Sequence, residues 1–169
     1  TFRDMDESGI FLDRCLAWDN NFVDHLSFVN NRTGFKQHAL RTEGRGGCYM
    51  DKVMFFHTRF VRNGLAIDIH PYRQNTSNAW VNSLFLDNAT LGEWGASGNT
   101  MFANSDFVNN GGNPMIQTFD WSYLCVSCYF YAGEHARGAL LGNMGTCEGC
   151  TFERGPMVIG SLSARSTAP

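Results

Sequence analysis

The sequence has no long apolar run, no extended helical stripe and no concentration of basic charge, and each absence removes a class of protein. No apolar stretch approaches the roughly 20 residues needed to cross a bilayer, so no membrane span is expected. Apolar residues hold a helical period for no more than about two turns, which argues against long amphipathic helices. Thirteen Lys and Arg stand against sixteen Asp and Glu, for a net charge of -3, and the cations are scattered. Without a basic stripe to neutralise phosphates, nucleic acid is not an expected partner. The opening residues, TFRDMDESG, lack the charged and apolar zones of a signal peptide, and the chain is expected to be a segment of a longer protein.

What is present favours short strands with frequent corners. Eighteen Gly and fourteen Phe accompany many Asn, a mixture of turn formers and aromatics typical of all-β chains. The 169 residues suffice for one domain with a sizeable core. That domain is placed at 1–160, with SLSARSTAP at 161–169 as a tail or linker.

Alignment on phenylalanine exposes an internal repeat. The segments VDHLSFVNN, FFHTRFVRN, WVNSLFLDN, FANSDFVNN, CVSCYFYAG and CEGCTFERG share one template. In it Phe28, Phe60, Phe85, Phe107, Phe130 and Phe152 hold one place, with gaps of 32, 25, 22, 23 and 22 residues, and Phe2 begins the series. Three positions after each Phe stand Asn31, Asn63, Asn88, Asn110, Gly133 and Gly155, residue types that tolerate a left-handed corner. A second apolar strand follows each corner, as in GLAIDIH from Gly64 and GPMVIG from Gly155. A unit of roughly 22 residues cannot bury its apolar side alone and must stack on its neighbours.

This pattern resembles the right-handed parallel β-helix family, the fold of pectate lyases, polygalacturonases, alginate epimerases and many phage tailspikes. The resemblance covers nearly the whole chain and implies an all-β parallel β-solenoid of about six to seven coils. It identifies an architecture better than an activity. The chain has no DPHE segment like that of alginate epimerases, no paired NTD and GHG motifs like those of polygalacturonases, and no RxPxxR like that of pectate lyases.

The cysteines obey the same register. Cys125 and Cys147, and likewise Cys128 and Cys150, are each 22 residues apart, one coil. Cys15 and Cys48 lie 13 and 12 residues before Phe28 and Phe60. Strands about 4.8 Å apart fall inside the Cα range for disulfides, so all six are disulfide candidates. Stacked free thiols, small core residues in one file with Ser83 and Ser105, are the equal alternative, and four-cysteine zinc ranks behind both. Paired cysteines favour an oxidising, extracellular or cell-surface or virion-surface setting.

Strand alternation assigns an outer ribbon. In GLAIDIH, Leu65, Ile67 and Ile69 point in, leaving Asp68 and His70 out; Lys36 and His38, Phe11 and Asp13, and Trp94 face out on neighbouring coils. The family resemblance implies that polysaccharide-active members bind substrate along such a face. The candidate catalytic residues are accordingly Asp68, His70, His38, Lys36 and Asp13, with Trp94 as a sugar-stacking plate and Arg73 as an anion clamp. Asp13 and Asp68, two coils or about 9.6 Å apart, fall at the far end of the inverting-glycosidase range. His38 or Lys36 beside Asp68 suits proton abstraction from a uronate. Each also has a plainer reading: Asp68 and His70 as a solvated strand end before Pro71, Trp94 as a packed edge aromatic, Arg73 as a loop cation. Glycine-rich RTEGRGG and QNTSN read as loops rising beside this ribbon. His25 and His57 share one register and stack as a metal pair or, preferably, as satisfied polar turn residues. No metal ligand is assigned and no cofactor is required; Ca2+ at Asp4, Asp6 and Glu7 stays open beside a solvated turn.

Two functions follow. The first is a secreted polysaccharide lyase, epimerase or hydrolase; the second is a non-catalytic glycan-binding or structural segment of a surface protein, adhesin or fibre, as a homotrimer.

Overall fold

The computed structural model of the protein describes residues 1–13, 18–38, 50–69, 77–94, 100–111, 116–118, 123–133 and 145–154. Its strands are two to six residues long, and most of those in the first and third sheets end where the backbone turns through a left-handed residue. Between strands that share a coil these corners recur at His25, His57, Asn82, Asn104 and Ser127, and again at Asn30, Arg62, Asp87 and Asn109, all with φ between 47° and 55°. The corner amides stay in the interstrand ladder: Asn30 N–H donates to Val61 O at 3.0 Å and Asp87 N–H to Val108 O at 3.0 Å.

Repeating this unit gives a parallel β-solenoid. The first sheet has seven strands, from Phe2–Arg3 through Arg59–Val61 to Thr151–Glu153. The second has five, in spatial sequence Ser8–Asp13, Thr33–His38, Leu65–Ile69, Thr90–Trp94 and Ile116–Thr118. The third has six, including Phe22–Asp24, Met54–Phe56 and Ala79–Val81. A two-stranded pair, Trp18–Asp19 with Met50–Asp51, lies beside them. Every pairing is parallel and in register, as in Phe28↔Phe60 and Phe85↔Phe107. The all-β solenoid expected from the repeat is therefore present. All three sheets run together over about four turns, fewer than the six to seven coils expected; past Tyr129–Tyr131 the described residues carry no strand of the second sheet.

The core is a set of columns. Phe28, Phe60, Phe85, Phe107, Phe130 and Phe152 stack with ring centroids 4.7–5.0 Å apart. Phe55, Trp80 and Phe102 form a second column at 5.1 and 5.4 Å. Edge contacts such as Phe102–Phe107, centroids 5.3 Å apart, join the two. Offset aromatic stacks of this kind add to the hydrophobic burial of each ring.

The recurrent asparagines do something the spacing alone does not reveal. Expected as left-handed corners, Asn31, Asn63, Asn88 and Asn110 instead follow the left-handed residue and turn inward, all buried. Each Oδ1 accepts from the previous coil: Asn31 N–H and Nδ2 donate to Asn63 Oδ1 at 3.0 and 3.1 Å, and Asn63 N–H and Nδ2 to Asn88 Oδ1 at 3.0 and 2.9 Å. The Nδ2 groups also donate to carbonyls one coil back from their own, as Asn88 to Phe60 O at 3.0 Å. A buried polar column is stable only when satisfied in this way. Asn31-Arg32-Thr33 and Asn88-Ala89-Thr90 match the glycosylation triplet, but both asparagines are buried members of this ladder.

Asn88→Ala takes away the buried acceptor of the Asn63 backbone N–H and interrupts the side-chain ladder, and chemical denaturation is expected to show a loss of about 1–3 kcal/mol. A change under about 0.5 kcal/mol, typical of neutral surface substitutions, contradicts the ladder.

Candidate functional site

The outer face of the second sheet carries a groove of about 540 Å³ lined by Glu7, Ser8, Phe11, Arg32, Thr33, Lys36, Gly64, Leu65 and Asp68. Parallel pairing builds it in files. Phe11, Lys36, Asp68, Glu93 and Gln117 share one register across five coils. Lys36 Nζ lies 3.7 Å from Asp68 Oδ2, each side chain about one third exposed, at 35 and 30%. The same ammonium stands 5.6 Å from the centroid of the Phe11 ring, a cation–π contact. Phe11 is itself 45% exposed. The floor is the inner layer of the sheet, where Phe35, Ile67 and Ile69 are buried.

Lys36 and Asp68 are therefore adjacent and outward, as expected. Asp13 and His38 pair with one another but lie two residues further along than the Asp68 file. That offset adds about 6.6 Å along the strand to about 9.6 Å across it, near 11–12 Å in all, beyond the separation inverting glycosidases use. Trp94 pairs with Ile69 and Thr118, and Glu93 takes the place beside Asp68 that alternation had assigned to Trp94. Alternation breaks on the paired strand as well, where Ala66 and Ile67 are successive and both buried, so Leu65 lines the groove instead of the core. His70, Arg73, Cys15 and Cys48 lie outside the described residues, as do RTEGRGG and most of QNTSN.

Sequence reasoning missed Arg32 and Ser8 and considered Glu7 only as part of a calcium corner; all three line the groove. All three lie at corners or strand starts, where alternation assigns no direction. Arg32 is located by its backbone, which donates to Met5 O at 3.0 Å.

The four described cysteines are free thiols, so the disulfides expected among them are absent. Parallel in-register strands carry Cβ atoms apart by the strand spacing, about 4.8 Å, wider than the roughly 3.8 Å a disulfide prefers. Cys128 and Cys150 instead extend the serine file. Thr58 N–H donates to Ser83 Oγ at 3.3 Å and Ser83 N–H to Ser105 Oγ at 3.1 Å. Two coils further, Cys128 N–H donates to Cys150 Sγ at 3.4 Å. Cys128 Sγ donates to Phe102 O at 3.4 Å, as Ser105 Oγ does to Trp80 O at 3.3 Å. Hydrogen bonds from Cys128 and then Cys147 hold the Cys150 thiol well below its ordinary range, while those with Cys128 and Cys147, followed by burial, push Cys125 up.

No protein-family profile, curated protein or solved structure matches the chain. Among the described residues, no helix is long and apolar enough to cross a membrane.

Unfolded without reductant, the protein is expected to take up iodoacetamide at all four of these cysteines, read by peptide mass spectrometry. In the folded state Cys150, only half-buried and with its thiol held below the ordinary range, should label ahead of Cys125. Buried Cys125 should label last.

Proposed function

We propose that the chain is a polysaccharide-binding parallel β-helix, with the hand usual for parallel β connections, that takes an acidic glycan along the outer groove of its second sheet. The observation that carries this reading is the groove itself: two cations, Arg32 and Lys36, beside two carboxylates, Glu7 and Asp68, and an exposed aromatic, Phe11, line one trough. An acidic sugar offers a carboxylate for the cations and a C–H face for the ring. Asp68 keeps Lys36 directed across the file, at 3.7 Å.

Of the reactions such a face can perform, proton abstraction α to a uronate carboxylate suits the residues best. A lyase or epimerase of this type holds the carboxylate against Lys36 and Arg32, which stabilises the charge that develops as the C5 proton leaves. In elimination the C4–O bond then breaks, the departing oxygen takes up a proton, and a 4,5-unsaturated uronate remains; no further reactant is needed. His38, in the next file with Asp13, is the base of first choice. Hydrolysis by Asp13 and Asp68 fits less well, given their offset. A secreted, extracellular location accords with a polymeric substrate.

The second reading is a non-catalytic glycan-binding segment of a surface protein or fibre, assembled as a homotrimer. It is favoured by the Lys36–Asp68 pair, which is closed on itself and serves a rigid binding face as well as a reaction.

Lys36→Ala and Arg32→Ala are each expected to weaken binding of a polyuronate about tenfold, a loss of about 1.4 kcal/mol, in calorimetric titration, with Lys52→Ala unchanged. Unsaturated uronate released by the parent supports the lyase; binding without product supports the second reading. Unaltered affinity in both groove variants removes the site.

A further inference from the structure

Where the third sheet turns into the first, two successive coils bring three ligand-type side chains together, away from the groove. Asp24 ends the strand Phe22–Asp24, His25 follows it, and His57 follows the paired strand Met54–Phe56 one coil on. Both histidines occupy left-handed corners, φ 54° and 49°. Their amides donate to Phe56 O and Val81 O, each at 3.1 Å, so the backbone beneath them is tied into the ladder. The rings stack with centroids 4.8 Å apart and planes 28° apart. Nδ1 of each ring lies 2.9 Å from the same oxygen, Asp24 Oδ1.

Among the described residues this is the one trio of His, Cys, Asp or Glu whose ligand atoms all lie within 4.8 Å of one another, and all three residues are exposed.

Imidazole and carboxylate ligands bind zinc-like ions at about 2.0–2.2 Å, which places neighbouring ligand atoms roughly 3.3 Å apart in a tetrahedral set. The present spacing brackets that value, so small side-chain rotations suffice, with the backbone fixed. Exposure leaves water to complete the shell. Two nitrogens and one oxygen suit Zn2+, Co2+, Ni2+ or Cu2+ better than the all-oxygen ions Ca2+ and Mg2+. An outer partner is also in place: the Asn82 amide stands 3.4 Å from His57 Nε2, and with its amide turned over it accepts from the Nε2–H, the support typical of metal-bound histidine.

We propose that Asp24, His25 and His57 form a surface site for one divalent transition-metal ion, which clips two adjacent coils together at their corner. The site is independent of the groove and of any reaction there.

The test is titration of the metal-free protein with Co2+ at about pH 7.5, above the ordinary imidazole value near 6.5, followed by visible absorption and calorimetry. One equivalent should bind through nitrogen and oxygen, without the near-ultraviolet charge-transfer band of a cobalt thiolate. His57→Asn and His25→Asn preserve the corner, since asparagine stands at the matching positions 82 and 104 with φ 51° and 47°. Each, and Asp24→Asn, should weaken binding at least about tenfold, equivalent to 1.4 kcal/mol. Zn2+ should raise the melting temperature of the parent and not of His57→Asn. Equal affinity in parent and variants overturns the proposal, and so does a thiolate band, which would place the ion at the cysteines.

Discussion

A coil that closes on itself must climb by one strand spacing, about 4.8 Å, and this vertical step governs every other choice in the molecule. A side chain in the core meets its counterpart from the next coil at that distance, so each column accepts only groups that pack well against their own kind. Phenylalanine does so by stacking, at 4.7–5.0 Å through the first column. Asparagine does so because its amide is donor and acceptor at once: Nδ2 reaches Oδ1 of the next residue in the column at 2.8–3.1 Å. Serine and cysteine do so in the third column, where Cys150 Sγ accepts from Cys128 N–H as Ser105 Oγ does from Ser83 N–H. Glycine at 133 ends the asparagine ladder, as it has no amide with which to continue it.

Columns on the outside obey the same step but not the same demand for packing, and there the chemistry varies. The file Phe11, Lys36, Asp68, Glu93, Gln117 runs from aromatic to cation to anion within a few coils, which makes an extended face with graded character. At the corner between sheets, the step instead stacks His25 on His57 and points both at Asp24. The groove and the histidine corner are separate products of one regularity: the core requires repetition, and the exterior receives it for its own use.

This explains what could be read from the chain beforehand. The Phe register, the parallel stacking and the adjacency of Lys36 and Asp68 were legible because spacing along the chain translates directly into height. Direction was less legible. Leu65 departed from simple alternation because two successive residues of its strand, Ala66 and Ile67, both face the core, and the same register sets Glu93, not Trp94, beside Asp68. The role of Asn31, Asn63 and Asn88 was misassigned because a left-handed corner and a buried amide ladder demand the same residue, and only hydrogen-bond partners separate them. The cysteine pairs had correct register, but register fixes Cα distance and not the approach of two sulfurs. Arg32 was missed, and Glu7 was not placed in the groove, because corners have no period.

The most direct measurement of the central claim is amide hydrogen exchange resolved by residue. The account predicts that the Asn31, Asn63 and Asn88 amides, each donating to the next asparagine, exchange as slowly as the amides of Phe60, Phe85 and Phe107 in the stacked strands. Exchange of the three asparagine amides at the rate of open turns would mean that the ladder is not formed and that the coils are not held one above another in this way.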